Sequence, residues 1–368
     1  MAVDTSLNPT PRYRIISGDD HQGVHCDDIH GLIRVKDASA GDTIISGSKD
    51  GTLKQWTLEG KLINKIFTST RDNQERWVTA LCADSFAESW MAGFRYGSLR
   101  FYIQDRAVEE RPYEARVTYS PTNLTDQRNQ NRIWSLASFK NSFFSGTANS
   151  LCEWRRRDRD FSVQSEADTG NQRVYCINPL TETKLAVVTG SVLDVWEKEE
   201  RLLQQNWRKK EELCNQTSSS LRIQTMVTVR DSLSADFQGS RLAIGFVKKY
   251  TDGDEEEDGY SCRGKGSLIT MDVNTKEIVS RYDEHTGGVW SVINLSPHIL
   301  ATGSDDRTVK IWDLRQAESV YTFEDGFNGR VSALLALRDN FFVAGSCPSE
   351  YTASDEKGRL TFWDLRRV

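Results

Sequence analysis

Two sets of side chains in this sequence have the residue types of a hydrolase active site. His285, Thr302 and Asp306 supply an imidazole, a hydroxyl and a carboxylate, the groups that activate a nucleophile in Ser-His-Asp enzymes. A second set of the same types lies earlier in the chain: His30, Ser46 and Asp50. Residue types alone do not make a catalytic site, so the elements that carry them have to be considered first.

A third cluster has the residue types of metal ligands. It consists of His21, His25, Cys26, Asp27, Asp28 and His30. The spacing of these residues matches no tetrahedral site. The acidic stretch 252–258 (DGDEEED) also lacks the ligand positions of a calcium-binding EF-hand loop. The sequence therefore predicts no metal site and no cofactor.

The hydrolase-like residues of the second half of the chain lie within a run of short strands. The stretch 285–313 contains the alternating runs VWSVINL and ILATGS, a polar turn at 305–307 and the run TVKIWD, and SVYTF follows it. Alternation with a period of two over such short runs indicates half-buried antiparallel strands. We therefore expect a four-stranded unit of about 40 residues, too small to bury both of its faces without neighbours.

This unit ends in Trp312-Asp313 and resembles a WD40 repeat. Similar runs recur along the chain, with the residue that anchors the third strand at Trp56, Tyr102, Trp154, Trp196, Met271, Trp312 and Trp363. The resemblance implies an all-β, seven-bladed WD40 β-propeller, closed by pairing the N-terminal strand at 12–17 into the last blade, which lacks an outer strand. The longest interval between anchors, from Trp196 to Met271, is attributed to the acidic loop 252–258 together with the segment 201–220.

Composition supports one soluble domain of this kind. The chain has 368 residues with 38% hydrophobic residues, ten Trp, fifteen Phe and eleven Tyr, enough for a large core. We expect a flexible tail over 1–12 and a single propeller over 13–368, with 252–258 as an acidic loop insert. The formal net charge of −6 gives no global argument for nucleic-acid binding.

The cysteines and the N-terminus bear on the cellular compartment. Seven cysteines are dispersed without a CxxC pair, which argues against a disulfide framework and favours a reducing compartment. The sequence shows neither a signal peptide nor an apolar run long enough to span a membrane. We expect a cytoplasmic protein, with the nucleus as the alternative.

In the family that the chain resembles, a loop His, a second-strand Ser or Thr, a turn Asp and a third-strand Trp form a structural tetrad. The resemblance places these roles on His30, Ser46, Asp50 and Trp56 in blade one, and on His285, Thr302, Asp306 and Trp312 in blade six. Such buried polar groups satisfy one another inside a blade. Because no paired carboxylates, metal ligands or phosphate-binding loop fall on the expected channel positions, we predict that the chain is not an enzyme.

The family's peptide-binding surface lies at the top of the central channel, where each first strand begins. The resemblance places one residue per blade there: Arg34, Thr79, Trp134, Tyr175, Gln224, Trp290 and Ser332. The residues two positions earlier in each blade are Leu32, Trp77, Arg132, Arg173, Arg222, Gly288 and Arg330. The residues that precede the turn Asp position are Lys49, Arg95 and Asp305 in blades one, two and six. The predicted peptide-binding residues are Arg34, Lys49, Arg95, Arg132, Trp134, Arg173, Tyr175, Arg222, Trp290 and Arg330.

A second feature is the repeated sequence Trp-Asp-Leu-Arg in blades six and seven. Substrate receptors of cullin-4 ubiquitin ligases use paired Asp-x-Arg boxes to contact the ligase adaptor. The matching adaptor-binding residues are Asp313, Arg315, Asp364 and Arg366. The alternative is a simple ion pair at the bottom edge of each blade.

The function predicted from the sequence is a non-catalytic scaffold that binds an acidic or phosphorylated peptide at the top face. Two alternatives use the same chain: a ligase receptor that binds an adaptor through the Asp-x-Arg boxes, and a propeller that binds RNA or DNA through its basic and aromatic residues. The expected partner is a protein or peptide, nucleic acid is the weaker expectation, and no membrane is involved.

Overall fold

The computed structural model describes most of the chain. The described ranges are 12–16, 25–37, 41–67, 77–84, 89–104, 113–119, 132–157, 160–170, 172–201, 204–215, 221–229, 241–248, 266–338, 341–348 and 358–365. Residues 1–11 of the expected tail and the acidic stretch 252–258 lie outside them. No helix among the described residues is long and apolar enough to cross a membrane.

The described residues form 28 strands in seven four-stranded antiparallel sheets, the blades of a β-propeller. Blade one contains β2 (Ile29–Asp37), β3 (Gly41–Ser48), β4 (Thr52–Thr57) and β5 (Leu62–Phe67). Blade two contains β6 (Val78–Ala83), β7 (Ser89–Phe94), β8 (Leu99–Gln104) and β9 (Tyr113–Tyr119). Blade three contains β10 (Ser135–Phe139), β11 (Ser142–Gly146), β12 (Ser150–Arg157) and β13 (Asp160–Asp168). Blades four and five contain β14 (Val174–Pro179), β15 (Lys184–Thr189), β16 (Val192–Arg201), β17 (Gln204–Asn215); and β18 (Leu221–Thr228), β19 (Arg241–Lys248), β20 (Leu268–Asp272), β21 (Ile278–Tyr282). Blade six contains β22 (Val289–Ser296), β23 (Ile299–Ser304), β24 (Val309–Asp313) and β25 (Ser319–Phe323).

Blade seven is assembled from both ends of the described chain. Its sheet has the order β1-β28-β27-β26, from β1 (Arg12–Ile16), β26 (Gly329–Arg338), β27 (Phe341–Pro348) and β28 (Arg359–Asp364). Strand β1 runs antiparallel to β28, with Tyr13 opposite Trp363.

The seven blades form a ring through their first strands. Each first strand contacts the first strand of the next blade, and β26 of blade seven contacts β2 of blade one. The seven predicted third-strand anchors all fall in third strands and are at most 5% exposed. In blade two, where Tyr102 replaces Trp, its ring stacks on Trp90 at 3.8 Å. Aromatic and aliphatic packing therefore fills the blade interiors.

Glycines in the second strands set the distance between neighbouring blades. A Cβ atom added at any of six second-strand glycines would lie within 3.0 Å of an aliphatic side chain at the start of the next blade. The pairs are Gly47 with Val78, Gly93 with Ile133, Gly146 with Val174, Gly245 with Val289, Gly303 with Val331, and Gly345 with Ile29. The last pair joins blade seven to blade one. These joints have no room for a side chain on the glycine side.

The expectation that the segment 201–220 is a loop between blades is in part wrong. Residues 204–215 form β17, the outer strand of blade four, which pairs along the whole of β16. These strands are 10 and 12 residues long, twice the length of most others. The inward-facing Trp207 is 2% exposed and donates to Glu153 of blade three at 2.9 Å. The long interval before Met271 therefore contains an extended hairpin.

The glycine joints make a direct prediction. Gly93→Ala would place its methyl carbon 2.5 Å from Cγ2 of Ile133, so we expect the free energy of unfolding to fall by about 1–3 kcal/mol in chemical denaturation. Combining Gly93→Ala with Ile133→Ala removes the nearest clashing atom, Cγ2, and leaves the Cβ of residue 133 at 2.8 Å. The double variant should therefore lose clearly less stability than the sum of the two single losses; strict additivity would contradict the joint.

Candidate binding face

The hydrolase-like residues of blade six hold the blade together. His285 Nε2 lies 2.7 Å from Thr302 Oγ1, and His285 Nδ1 lies 2.7 Å from Asp306 Oδ2. The Trp312 indole donates to the same Thr302 hydroxyl at 2.8 Å. Burial alone would raise the pKa of Asp306, but its hydrogen bond with His285 and its other partners lower it to about 2. The Thr302 hydroxyl, which would have to act as the nucleophile, is thus hydrogen-bonded to both His285 and Trp312 inside the blade.

Blade one contains the same tetrad, but its histidine is His25, and the assignment to His30 is wrong. His25 Nε2 lies 2.6 Å from Ser46 Oγ and His25 Nδ1 3.1 Å from Asp50 Oδ2, while Trp56 donates to Ser46 at 2.8 Å. His25 precedes Ile29, where β2 begins, by the same four positions that separate His285 from Val289. The prediction of His30 matched the interval from histidine to tryptophan between blades one and six. That interval differs between the two blades, because the first hairpin of blade one is longer than that of blade six.

Irregular strand pairing positions one side chain per blade at the top of the channel. The register shifts at a single residue near the start of the first strand in six blades, at His30, Thr79, Tyr175, Gln224, Trp290 and Ser332. In blade three, Trp134 stands just before β10 and donates its backbone N–H to Gly146 at 2.9 Å. Such bulges turn a side chain out of the strand pairing. We call these seven residues the bulge ring.

The bulge ring has a different residue at the blade-one position from the one predicted. His30, not Arg34, holds the blade-one position, and Asp28, not Leu32, precedes Ile29. Arg34 lies further along β2, opposite Ile44, where it donates to the Leu337 carbonyl at 2.7 Å and pairs with Asp42. It is therefore separated from the other predicted binding residues.

Five cations lie over aromatic rings on blades one to five; we call them the basic arc (Lys49, Arg95, Arg132, Arg173 and Arg222). The Trp77 ring carries Lys49 at 4.4 Å and Arg95 at 3.8 Å. The Trp134 ring carries Arg132 at 4.3 Å and Arg173 at 5.3 Å, and the Tyr175 ring carries Arg222 at 4.9 Å. Trp134 and Tyr175 meet edge to face at 5.4 Å. These contacts thus form two groups, one around Trp77 and one around Trp134 and Tyr175, and Arg132 is buried in the second.

One electrostatic interaction links blade one with blade three. Burial is the main reason that the pKa of His30 falls to about 4, and the positive charge of Arg132, two blades away, contributes. Among the described residues, neither Arg173 nor Arg222 forms an ion pair with a carboxylate, although Arg222 donates to Gln224 at 2.8 Å.

Arg330 and Trp290 belong to a different part of the face. Arg330 lies over the Trp290 ring at 4.9 Å, donates to Asp28 Oδ2 at 2.8 Å and approaches Asp305 Oδ1 at 3.9 Å. Asp28 and Asp305 therefore share one guanidinium, and Asp28 was not among the channel positions predicted from the sequence. The sequence missed Asp28 because its strand was placed out of register.

One acidic cluster has the composition of a metal site. The ligand atoms of Asp27, Asp28 and Cys347 lie within 4.8 Å of one another. Burial and the charge of Asp28 raise the pKa of the Cys347 thiol far above its usual value, so the thiol stays protonated. Arg330 already supplies a cation to Asp28. The donors do not fit a metal ion, and the absence of a metal site stays a prediction.

The paired Asp-x-Arg boxes are described only in part. In blade six, Arg315 donates to its own Asp313 through Nε at 2.8 Å and Nη2 at 2.6 Å. Asp364 ends β28, and Arg366 lies outside the described residues. The blade-six box thus forms the internal ion pair that was the alternative to adaptor binding, and the adaptor contact stays a prediction.

Comparisons with known proteins agree with this geometry. The family "WD domain, G-beta repeat" matches residues 24–57 and 276–313, the segments that carry the two complete tetrads. The chain belongs to the WD40-repeat β-propellers. As a WD40 propeller it has the fold of "Structure of U3-55K", with a TM-score of 0.65, 14% identity and coverage of 96% of this chain and 98% of that one.

Curated relatives match this WD40 propeller over shorter stretches. The WD repeat-containing protein JIP5 of Coprinopsis cinerea is 32% identical over 29% of this chain and 27% of its own length. The E3 ubiquitin-protein ligase COP1 of Arabidopsis thaliana is 37% identical over 28% of this chain and 14% of its own length. The chain thus covers well under half of these relatives. WD40 propellers generally act as protein-interaction scaffolds and are typically not catalytic.

The corrected tetrad predicts different roles for two histidines. His25→Gln should lower the free energy of unfolding by about 1–3 kcal/mol, because it removes the buried imidazole that joins Ser46 to Asp50. His30→Gln, the matched control, should cost less. If His30→Gln cost as much or more, the tetrad assignment would be wrong.

The pH dependence gives the same test a second readout. Burial lowers the pKa of His25 despite its hydrogen bond with Asp50, so the unfolded chain takes up the proton first. The stability that neutral His25 contributes should therefore be lost as the pH falls below about 6.5, the usual histidine pKa. Denaturation midpoints between about pH 7 and 5 should fall less steeply for His25→Gln than for the unchanged protein.

Proposed function

We propose that this WD40 propeller is a non-catalytic scaffold that binds an acidic or phosphorylated peptide across the basic arc. The observation that carries the proposal is the stacking of five cations on Trp77, Trp134 and Tyr175 around one end of the channel. Arg and aromatic residues dominate the energetics of protein interfaces.

Stacking prepares the guanidinium groups for this role. A guanidinium that lies on a ring face keeps its N–H groups at its edge, where a carboxylate or phosphate accepts two hydrogen bonds in parallel. Because the ring already restrains the side chain, less conformational entropy is lost on binding than for a free arginine. Arg173 is exposed, and Arg222 is half-buried beside it. These two groups are therefore the best placed to meet a ligand first.

The local charge opposes the charge of the whole protein. The chain carries a formal charge of −6, yet five cations gather on the basic arc. The net negative charge repels an acidic partner, and the cations of the basic arc attract it locally, which favours its binding in a defined place.

The arginines of the basic arc provide the test. The double change Arg173→Ala and Arg222→Ala should abolish capture of the proteins that the unchanged chain retains from native lysate, because it removes two anion contacts. Phosphatase treatment should reduce the same capture if the ligand is phosphorylated. Arg34→Ala is the matched control, since Arg34 lies away from the arc, and it should leave the capture intact.

The same experiment separates the alternatives. Capture that survives the double change, or is lost equally with Arg34→Ala, contradicts the proposed site. Capture that disappears with nuclease and falls steeply with salt would assign the basic arc to RNA or DNA instead.

We also propose that β1 acts as a latch that holds the ring closed. Support comes from the pairing of all five residues of β1 with β28, which would otherwise be the exposed edge of blade seven. Blades seven and one are also joined by the Ser332 hydroxyl, which donates to the Ile29 carbonyl at 2.7 Å, and by Arg330 with Asp28.

The latch predicts a sharp boundary for truncation. Deleting residues 1–16 removes the strand and should lower the melting temperature by several degrees or more, with increased aggregation from the exposed edge. Deleting residues 1–11 keeps the strand and is the control, which should melt as the full chain does. Equal melting of the two truncated chains would contradict the latch.

A further inference from the structure

The accessible cations of the basic arc lie in two pairs. Lys49 of blade one and Arg95 of blade two are both half-buried, and we call them the first pair. Arg173 of blade four is exposed and Arg222 of blade five is half-buried, and we call them the second pair. Blade three lies between the pairs, and its Arg132 is only 5% exposed. A ligand on the basic arc therefore meets cations on either side of blade three.

The two pairs come from different positions within their blades. Lys49 and Arg95 each stand in the turn that follows the second strand. Their backbone N–H groups donate to the carbonyl of the residue before the first strand of the same blade, at 2.9 and 3.1 Å. Arg173 and Arg222 instead stand directly before a fully buried aliphatic residue of the first strand. The two pairs thus differ in local structure, and each presents its cations to a ligand from a different element.

Aromatic rings hold the cations of each pair together across a joint between blades. The centre of the Trp77 ring lies within 4.4 Å of both charged groups of the first pair. In the second pair, Arg173 lies over Trp134 at 5.3 Å and Arg222 over Tyr175 at 4.9 Å, and these two rings meet at 5.4 Å. Two cations held close together suit one carboxylate or phosphate, whose oxygens accept hydrogen bonds from both.

One short peptide is long enough to contact both pairs. Burial lowers the pKa of His30 to about 4, and the positive charges of Arg132 and Lys49 add to that effect. Arg132 in turn shares the Trp134 ring with Arg173. These interactions connect the two pairs around the mouth of the channel. An extended peptide advances about 3.3 Å per residue, so a segment of several residues spans them.

We propose that the ligand of the basic arc is an extended peptide with two negative residues at one fixed separation, one bound by each pair. This inference rests on the proposed function and narrows its ligand. Each negative residue is a phosphorylated or carboxylate side chain that accepts hydrogen bonds from two cations. Because the aromatic rings already restrain these cations, little conformational entropy is lost when they bind.

The separation of the two negative residues is what distinguishes this ligand. Once one of them is bound, the second binds within the same complex, so the two contacts together are much tighter than either alone. That gain requires a separation along the peptide that matches the separation of the pairs. General attraction between a negative peptide and a positive surface has no such requirement, because it depends on net charge.

A synthetic peptide library tests this inference. The probes are immobilised decapeptides with neutral residues at the other positions and with no, one or two negative residues, either phosphoserine or Glu, at every separation. The control variant removes two exposed arginines from the outer strands β17 and β21, and so changes the net charge by the same amount as the other variants. The variants are Lys49→Ala with Arg95→Ala, Arg173→Ala with Arg222→Ala, and the control Arg208→Ala with Arg281→Ala.

The unchanged chain and the control variant should bind doubly negative peptides of one separation about tenfold or more tightly than the best singly negative peptide. Each of the other two variants should lose that tenfold gain. Removing one particular negative residue should then make no difference to the variant of the first pair, and removing the other should make none to the variant of the second pair. This pattern assigns each negative residue to its pair and gives the direction of the peptide.

The remaining outcomes contradict either this ligand or the proposed function. If doubly negative peptides gain nothing over singly negative ones, gain equally at every separation, or keep their gain in either pair variant, the two-site ligand is wrong. The proposed function still stands in that case, provided that the change of Arg173 and Arg222 weakens binding of negative peptides. If the unchanged chain binds negative and neutral peptides alike, the proposed function itself fails. The dependence on separation is measured on the unchanged chain, and thermal melting checks that each variant is folded.

Discussion

The close approach of neighbouring blades at the second-strand glycines is the constraint on which this structure depends. At six joints the space of a missing Cβ is filled by a Val or Ile from the next blade. Blade four differs: Val188, paired with Leu193, lies at the corresponding position and packs with Ile223 in one cluster. Because interiors are packed without spare volume, the distance set at these joints is passed from blade to blade around the ring.

The geometry of the candidate binding face depends on the same joints. The aliphatic residue that fills each glycine space is followed by the residue of the bulge ring, so a rigid packing contact lies one position from each ring side chain. In six blades the bulge frees that side chain from strand pairing. The scaffold thus fixes where seven side chains stand, and the sequence decides their chemistry: Trp134, Tyr175 and Trp290 are aromatic, and the charged residues stand at neighbouring positions.

Much of this was predictable from local pattern. The seven anchors and the register of the first strands in blades two to seven follow from alternation and from the repeated Trp. The register predicted for the first strand of blade one was wrong, because Ser46 is 17 positions after Ile29, whereas Thr302 is 13 positions after Val289. The four-residue interval from histidine to first strand, shared by His25 and His285, is the signal that would have found the right register. The contact of Arg330 with Asp28 could not be predicted, since it joins residues 302 positions apart.

The contact between Arg330 and Asp28 changes which residues of the top face are available to an anionic ligand. From sequence, Arg330 counts as one more arginine for an anionic ligand, but in the fold its charge is directed at Asp28 and Asp305. Burial lowers the pKa of an arginine, and the two carboxylates outweigh this and raise it for Arg330. An anion bound at Arg330 would have to displace Asp28 and leave it buried without its partner, a change that costs more than a surface contact returns. Under the proposed function, the acidic residue of the ligand is therefore expected at the aromatic-backed cations of blades one to five and not at Arg330.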